Sequence, residues 1–160
     1  MLGDLNNRQI EHVLYSLIIG RIGCHADNKT YVVPITYAYD GTYIYGHTKE
    51  GLKIEMMRKN PKVCLEVDAI ENMSNWRSVI AWGEFEELKT PEQREEGMRK
   101  LMDVVMPLMT GETTINHPLT DSHQKYSDAL QGVVYRIKLT KKTGKFEKPP
   151  SKYSCCDRGC

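Results

Sequence analysis

The stretch TYVVPITYAYDGTYIYGHT, residues 30–48, decides how this chain folds. β-Branched and aromatic residues fill Thr30–Tyr39, Asp40-Gly41 is a strong tight-turn pair, and Thr42–Tyr45 returns with the same chemistry. The pattern predicts a β-hairpin over residues 30–46. Just beyond it, Tyr45-Gly46-His47-Thr48-Lys49-Glu50-Gly51-Leu52-Lys53 reads as a strand end, a glycine turn and a helix start. Backbone N–H groups at a helix start, joined by hydroxyl, imidazole and ammonium donors, form an anion site, most naturally for phosphate. An ordinary strand-to-helix turn with surface polar residues gives the same letters. On these residues alone both readings stand.

Further strands follow on either side. Ile18–Ala26 is apolar with glycines at 20 and 23. Lys62–Ala69 alternates, with Val63, Leu65 and Val67 on one face and Lys62, Cys64, Glu66 and Asp68 on the other. Asn75–Leu88 is a long strand containing Gly83, and Gly132–Thr140 a final one. Helical spacing covers Asn6–Leu17 (Ile10, Val13, Leu14, Leu17) and Glu50–Lys59, which Asn60-Pro61 ends. Thr90-Pro91-Glu92-Gln93 opens a third helix running to about Pro107. Residues 110–125 form a long polar loop. These elements predict a mainly β protein with short helices, of the α+β class. Six or so antiparallel strands would form a barrel that bends at Gly20, Gly23 and Gly83. One domain is expected over residues 1–149, followed by a flexible cysteine-containing tail at 150–160.

Composition narrows the function. The 160 residues are 40% hydrophobic and 27% charged, as a globular domain requires. No apolar run of about eighteen residues would span a bilayer. Met1–Ile10 is no secretory signal, so a cytoplasmic setting is expected. A net charge of +1 without a dense basic block argues against nucleic acid. Cys24 and Cys64 sit in strands as small hydrophobes, whereas Cys155, Cys156 and Cys160 lie in the tail at no recognisable metal-ligand spacing. Neither a disulfide framework nor a metal site is expected. His12, His25, His47, His117 and His123 form no ligand motif. There is no nucleophile elbow, P-loop or dinucleotide fingerprint. No side chain is therefore assigned as catalytic.

Taken in order, several strings fall in one register: Gly20-Arg21-Ile22-Gly23, Tyr31–Tyr37, Asp40-Gly41, Tyr45–Thr48, Gly51-Leu52-Lys53, Asn60–Cys64, and Trp76–Val79 with Gly83. Together they resemble the FMN-binding split-barrel proteins related to pyridoxamine 5′-phosphate oxidase, and within them the nitroimidazole-resistance, nitroreductase-like branch. The resemblance is strong over residues 10–90. It implies an FMN cofactor and a homodimer with the flavin at the subunit interface. It implies that Val33, Pro34, Ile35 and Thr36 lie along the isoalloxazine ring, with backbone groups on its pyrimidine edge. His47, Thr48, Leu52 and Lys53 would surround the phosphate and ribityl chain, and Trp76, Ser78 and Val79 the next strand beside the flavin. Leu52 stands where the oxidase has an arginine. The oxidase's C-terminal tryptophan and arginine signature is also missing, the final strand offering only Arg136.

The implied function is an FMN-dependent oxidoreductase that takes electrons from a small-molecule donor and passes them to a small acceptor. The long loop, with His117, Lys125 and Tyr126, is the expected border of the acceptor cleft. The alternative is a non-catalytic protein using the same pocket for a flavin or for haem, with His47 or His117 as axial ligand.

Overall fold

A computed structural model describes residues 1–109 and 131–149. There the alternating runs join into one antiparallel sheet of eight strands, accompanied by three helices. In chain order the elements are β1 (Leu2–Asp4), α1 (Asn7–Ser16), β2 (Ile19–Ala26), β3 (Lys29–Thr36), β4 (Ala38–Tyr39) and β5 (Tyr43–Thr48). There follow α2 (Leu52–Lys59), β6 (Lys62–Asn72), β7 (Asn75–Glu87), α3 (Pro91–Met109) and β8 (Val133–Glu147). The strand order is β3-β2-β6-β7-β8-β5-β4, with β1 pairing β8.

Only Tyr37 separates β3 from β4, so the two ends of this strand path are neighbours in the chain. The sheet therefore curls round until its edges adjoin. β3 and β5 lie close together, yet no backbone ladder links β3 to β4 or β5. The result is a barrel with a seam. Tyr37 anchors it: its N–H donates to the Ile18 carbonyl at 2.8 Å, and its buried hydroxyl donates to the Leu14 carbonyl at 3.0 Å.

Alternation fills both sides of the barrel wall. Ile22, Leu65, Val67, Val79, Ala81, Ile44 and Ile137 point into one core with Ile10, Val13 and Leu14 of α1 and Ile54 and Met57 of α2. Neighbours of opposite parity, Tyr45 and Val134, face outward beneath Met98 and Leu101 of α3. At Gly83 the β7–β8 register slips by one residue, so that Trp82 pairs with Lys141 and Gly83 with Leu139. A Cβ at Gly83 would stand 2.5 Å from the Lys138 carbonyl oxygen. The bulge thus occupies a predicted bend, where only glycine fits.

Several expectations need correction. Among the described residues there are eight strands rather than six or so: β1 is too short to show alternation, and the strand predicted over Thr30–Tyr39 breaks at Tyr37. Its first part pairs instead with β2, through a turn in which Asp27 and Asn28 take φ of 50° and 59°. Only Ala38 and Tyr39 form the hairpin across Asp40-Gly41. The final strand runs seven residues past Thr140, because its second half pairs with β1 and β7. The expected loop at 110–125, including His117, lies outside the described residues, as do Lys125, Tyr126 and the tail at 150–160. No helix among the described residues is long and apolar enough to cross a membrane.

The Asp40 turn is pinned to α3. Asp40 accepts from the N–H groups of Thr42 and Tyr43 at 3.0 and 2.8 Å, from the Tyr45 hydroxyl at 3.0 Å and from Lys100 at 2.7 Å. Burial pushes its carboxyl pKa up, but Lys100 and these donors outweigh that and hold it down at about 2. A depressed carboxylate stabilises the fold fully above about pH 4, and the contribution is lost as pH falls through about 2. Asp40→Asn is expected to cost about 1 kcal/mol at pH 7, allowing for solvent screening of the Lys100 pair. The urea midpoints of variant and wild type should converge between pH 4 and pH 2.

Candidate functional site at the barrel seam

β3 ends the strand path and pairs only with β2, so one edge of its backbone N–H and C=O groups has no ladder partner among the described residues. Val33, Pro34, Ile35 and Thr36 form the last half of that edge. Ile35 points into the core and Val33 packs against it, whereas Pro34 and Thr36 are exposed. An open edge of alternating donors and acceptors suits a flat heterocycle whose rim carries both, as β-augmentation suits a peptide.

Across the seam, β5 ends at His47 and Thr48, and α2 begins. Gly51 caps α2 through its backbone alone, leaving the first-turn N–H groups without a side-chain acceptor. Arg58 holds the approach to this turn: its guanidinium bonds both oxygens of Glu50 at 2.8–2.9 Å and both of Glu87 at 2.8–2.9 Å. Ile54 and Met57 bury the inner face of α2 against β2, which aims Lys53 at the Cys24 level of that strand.

Lys53 is the chemically distinctive group. It is half-buried, and no carboxylate among the described residues pairs with it. Burial lowers its ammonium pKa below the ordinary lysine value, partly opposed by Cys24. Burial likewise raises the Cys24 thiol, and Lys53 partly reverses that shift. A desolvated cation in the first turn of α2, a helix start with no side-chain cap, favours an incoming anion.

The expected residues divide into two groups. Val33–Thr36, His47, Thr48, Leu52 and Lys53 border the seam, although the His47 ring turns away, its Nε2 donating to the Gln131 carbonyl at 3.2 Å. Leu52 is exposed at the start of α2. Trp76, Ser78 and Val79 lie on β7, three strands from β3, or about 14 Å at ordinary strand spacing. Val79 is wholly buried in the core. Trp76 donates to Glu147 at 3.1 Å, and Ser78 donates to Glu66 at 3.0 Å. Glu66 and Asp68 in turn hold Arg21. Arg136 is engaged elsewhere, paired with Glu86 at 2.7 Å and stacked 4.5 Å from the Tyr43 ring. The free edge of β3 was not evident from sequence, because a strand's edge position depends on pairing partners remote in the chain.

A curled antiparallel sheet with a seam, an open strand edge and a basic helix start defines the chain as a split β-barrel. Residues 6–146 match the family described as pyridoxamine 5′-phosphate oxidase, and the chain belongs to that family. An uncharacterized protein of Rhizobium meliloti (strain 1021) is 34% identical over 84 residues, which are 52% of this chain and 56% of the relative. The chain thus matches little more than half of that relative's length. Among solved structures, an FAD-binding protein from Mesorhizobium loti superposes with a TM-score of 0.73 at 27% identity, covering 92% of this chain and 99% of the other. A protein of Bacteroides thetaiotaomicron VPI-5482, provisionally assigned to 5-nitroimidazole antibiotic resistance, gives 0.68 at 20% identity and covers 91% and 87%. A flavocytochrome from Azotobacter vinelandii gives 0.67 at 18% identity, covering 91% and 69%. These last two likenesses concern the fold.

Proposed function

We propose that this protein binds a flavin nucleotide, FMN, at the seam and serves as an oxidoreductase between a small donor and a small acceptor. The observation that carries the reading is Lys53, a half-buried ammonium without a counter-charge among the described residues, beside the uncapped start of α2. A bound phosphate would supply the missing charge, and the open edge of β3 would take the ring. The Mesorhizobium loti protein of the same fold binds FAD. FAD shares with FMN the ring, the ribityl chain and the first phosphate, the parts this seam addresses. When bound, the flavin supplies the redox chemistry. The chain's own residues bind and orient it: β3 fixes the ring edge, and Lys53 and Thr48 hold the phosphate.

A homodimer belongs to this reading. Ile19 and Val32 are 61% and 59% exposed on the outer face of β2 and β3. A groove of about 510 Å³ on that wall includes Val32, Cys64 and Trp82. Closed two-fold pairing would cover this apolar surface, and a second copy could bring its β7 residues toward the seam. Leu52 and the engaged Arg136 leave no arginine pair for pyridoxamine phosphate, which favours another electron donor; the acceptor in this reading is of the quinone or nitroimidazole kind.

Anaerobic reduction followed by reoxidation tests the proposal. The purified protein should carry a flavin absorbing near 450 nm, released as FMN on denaturation. NADH or NADPH should reduce it, and a quinone or nitroimidazole should reoxidise it faster than dissolved oxygen does. A Soret band in place of flavin absorption would overturn the cofactor. Reoxidation by oxygen alone would leave a binding protein.

A further inference from the structure

Glu50 lies three residues before Lys53 and one before Gly51, the cap of α2. A carboxylate in that position is drawn to the positive end of the helix and to the nearest ammonium. Glu50 is nevertheless held elsewhere. Arg58, in the last turn of α2, donates from Nη1 and Nη2 to the two oxygens of Glu50 at 2.9 and 2.8 Å. Its Nε and Nη2 donate to the two oxygens of Glu87, at the end of β7, at 2.8 and 2.9 Å. The guanidinium is thus gripped from both sides, and each carboxylate takes two bonds. Glu87 is the fixed end of this clamp: its side chain is 18% exposed, against 62% for Glu50. Arg58 holds the Glu87 carboxyl below the usual carboxylate range. Glu55 does not take the place of Glu50 beside Lys53, because residues two apart on a helix face different sides.

We infer that Arg58 is a positioning residue for the anion site: it draws the Glu50 carboxylate back from the start of α2 and so leaves Lys53 without a counter-charge. The inference rests on the flavin reading for the identity of the anion, though not for the pairing itself. It accounts for a half-buried ammonium that has no carboxylate partner among the described residues, although one lies three residues away. Arg58 wins the competition for Glu50 on geometry. Its planar fork meets a carboxylate with two bonds, whereas a lysine ammonium is a point charge. Pairing with Lys53 would also carry the Glu50 carboxylate out of water into the partly buried setting of that ammonium. Removing Arg58 frees Glu50, while Glu87 keeps the positive charges of Lys89 and Arg94 nearby. The freed carboxylate then competes with the phosphate for Lys53 and for the helix start.

Titration of the flavin-free full chain with FMN and with riboflavin tests it, in wild type, Arg58→Ala, Glu50→Gln and the double variant. Arg58→Ala should weaken FMN about fivefold, the size of effect a partly exposed ion pair has, and leave riboflavin unchanged. Adding Glu50→Gln to Arg58→Ala should restore FMN to within about twofold of wild type, although the clamp is then lost from both sides. A merely structural clamp would not be rescued in that way. Should Arg58→Ala fail to fold, Arg58→Met, which keeps the apolar stem, gives the same readout. A second measurement needs no flavin: acylation of Lys53 at about pH 9, followed by mass spectrometry. Glu50 beside Lys53 would raise the ammonium pKa, so Arg58→Ala should slow the reaction and the double variant should restore it. If wild type binds FMN and riboflavin equally while acylation follows Glu50 in this way, the phosphate reading falls and the control of Lys53 by Arg58 stands. FMN affinity and Lys53 acylation both untouched by Arg58→Ala would overturn the inference, as would losses that Glu50→Gln does not rescue.

Discussion

Lys53→Ala is expected to weaken FMN binding about 10- to 150-fold, or 1.5–3 kcal/mol, the range for a charge-assisted hydrogen bond. The expectation follows from the side chain's condition in the protein. Lys53 is half-buried with no carboxylate beside it among the described residues, and its ammonium is held below its ordinary pKa. A phosphate arriving there meets a cation that has already lost much of its hydration. Binding should therefore raise the Lys53 pKa and take up a fraction of a proton at high pH. Alanine removes this gain while leaving Ile54 and Met57 to hold α2 in the core. Fluorescence titration of the refolded or flavin-stripped protein reads the effect. An unchanged dissociation constant for FMN would remove Lys53 from the site.

Gly83→Val should destabilise the fold by about 3 kcal/mol, at the upper end of what overpacking costs. A Cβ at this position would stand 2.5 Å from the Lys138 carbonyl oxygen and 2.7 Å from the Ile137 side chain. The oxygen belongs to the backbone of β8, paired on both sides, so it cannot swing aside as a flexible side chain could. The bulge between Trp82 and Gly83 sits at the same place, and losing it would flatten the sheet where it curls. Urea unfolding measures the loss, and a shift below about 0.5 kcal/mol would show that β8 yields more easily than its ladders imply.

Much of this architecture is legible in local patterns. Val63, Leu65 and Val67 alternate into the core as their spacing requires, and Ile10, Val13 and Leu14 bury the expected side of α1. Thr90 and Gln93 cap α3 reciprocally, as their spacing announces. The pairing of β3 with β2 is harder to see. Asp27-Asn28 is a weaker turn signal than Asp40-Gly41, and nothing local in Thr30–Tyr39 says that the strand must break at Tyr37 to let the barrel close. The candidate site divides in the same way. Thr48, Gly51 and Lys53 are adjacent in sequence, so their donor character is readable directly. The open edge of β3 and the distance of Trp76 and Ser78 from it depend on the sheet order, which the flanking residues do not encode.

Equilibrium titration of the flavin-free protein with FMN and with riboflavin, side by side, tests the central claim most directly, because the two ligands differ only by the phosphate that Lys53 and the start of α2 are proposed to hold. FMN should bind one per chain and at least about tenfold more tightly than riboflavin, the preference collapsing in Lys53→Ala. Equal affinities for the two in the wild-type protein would contradict the account.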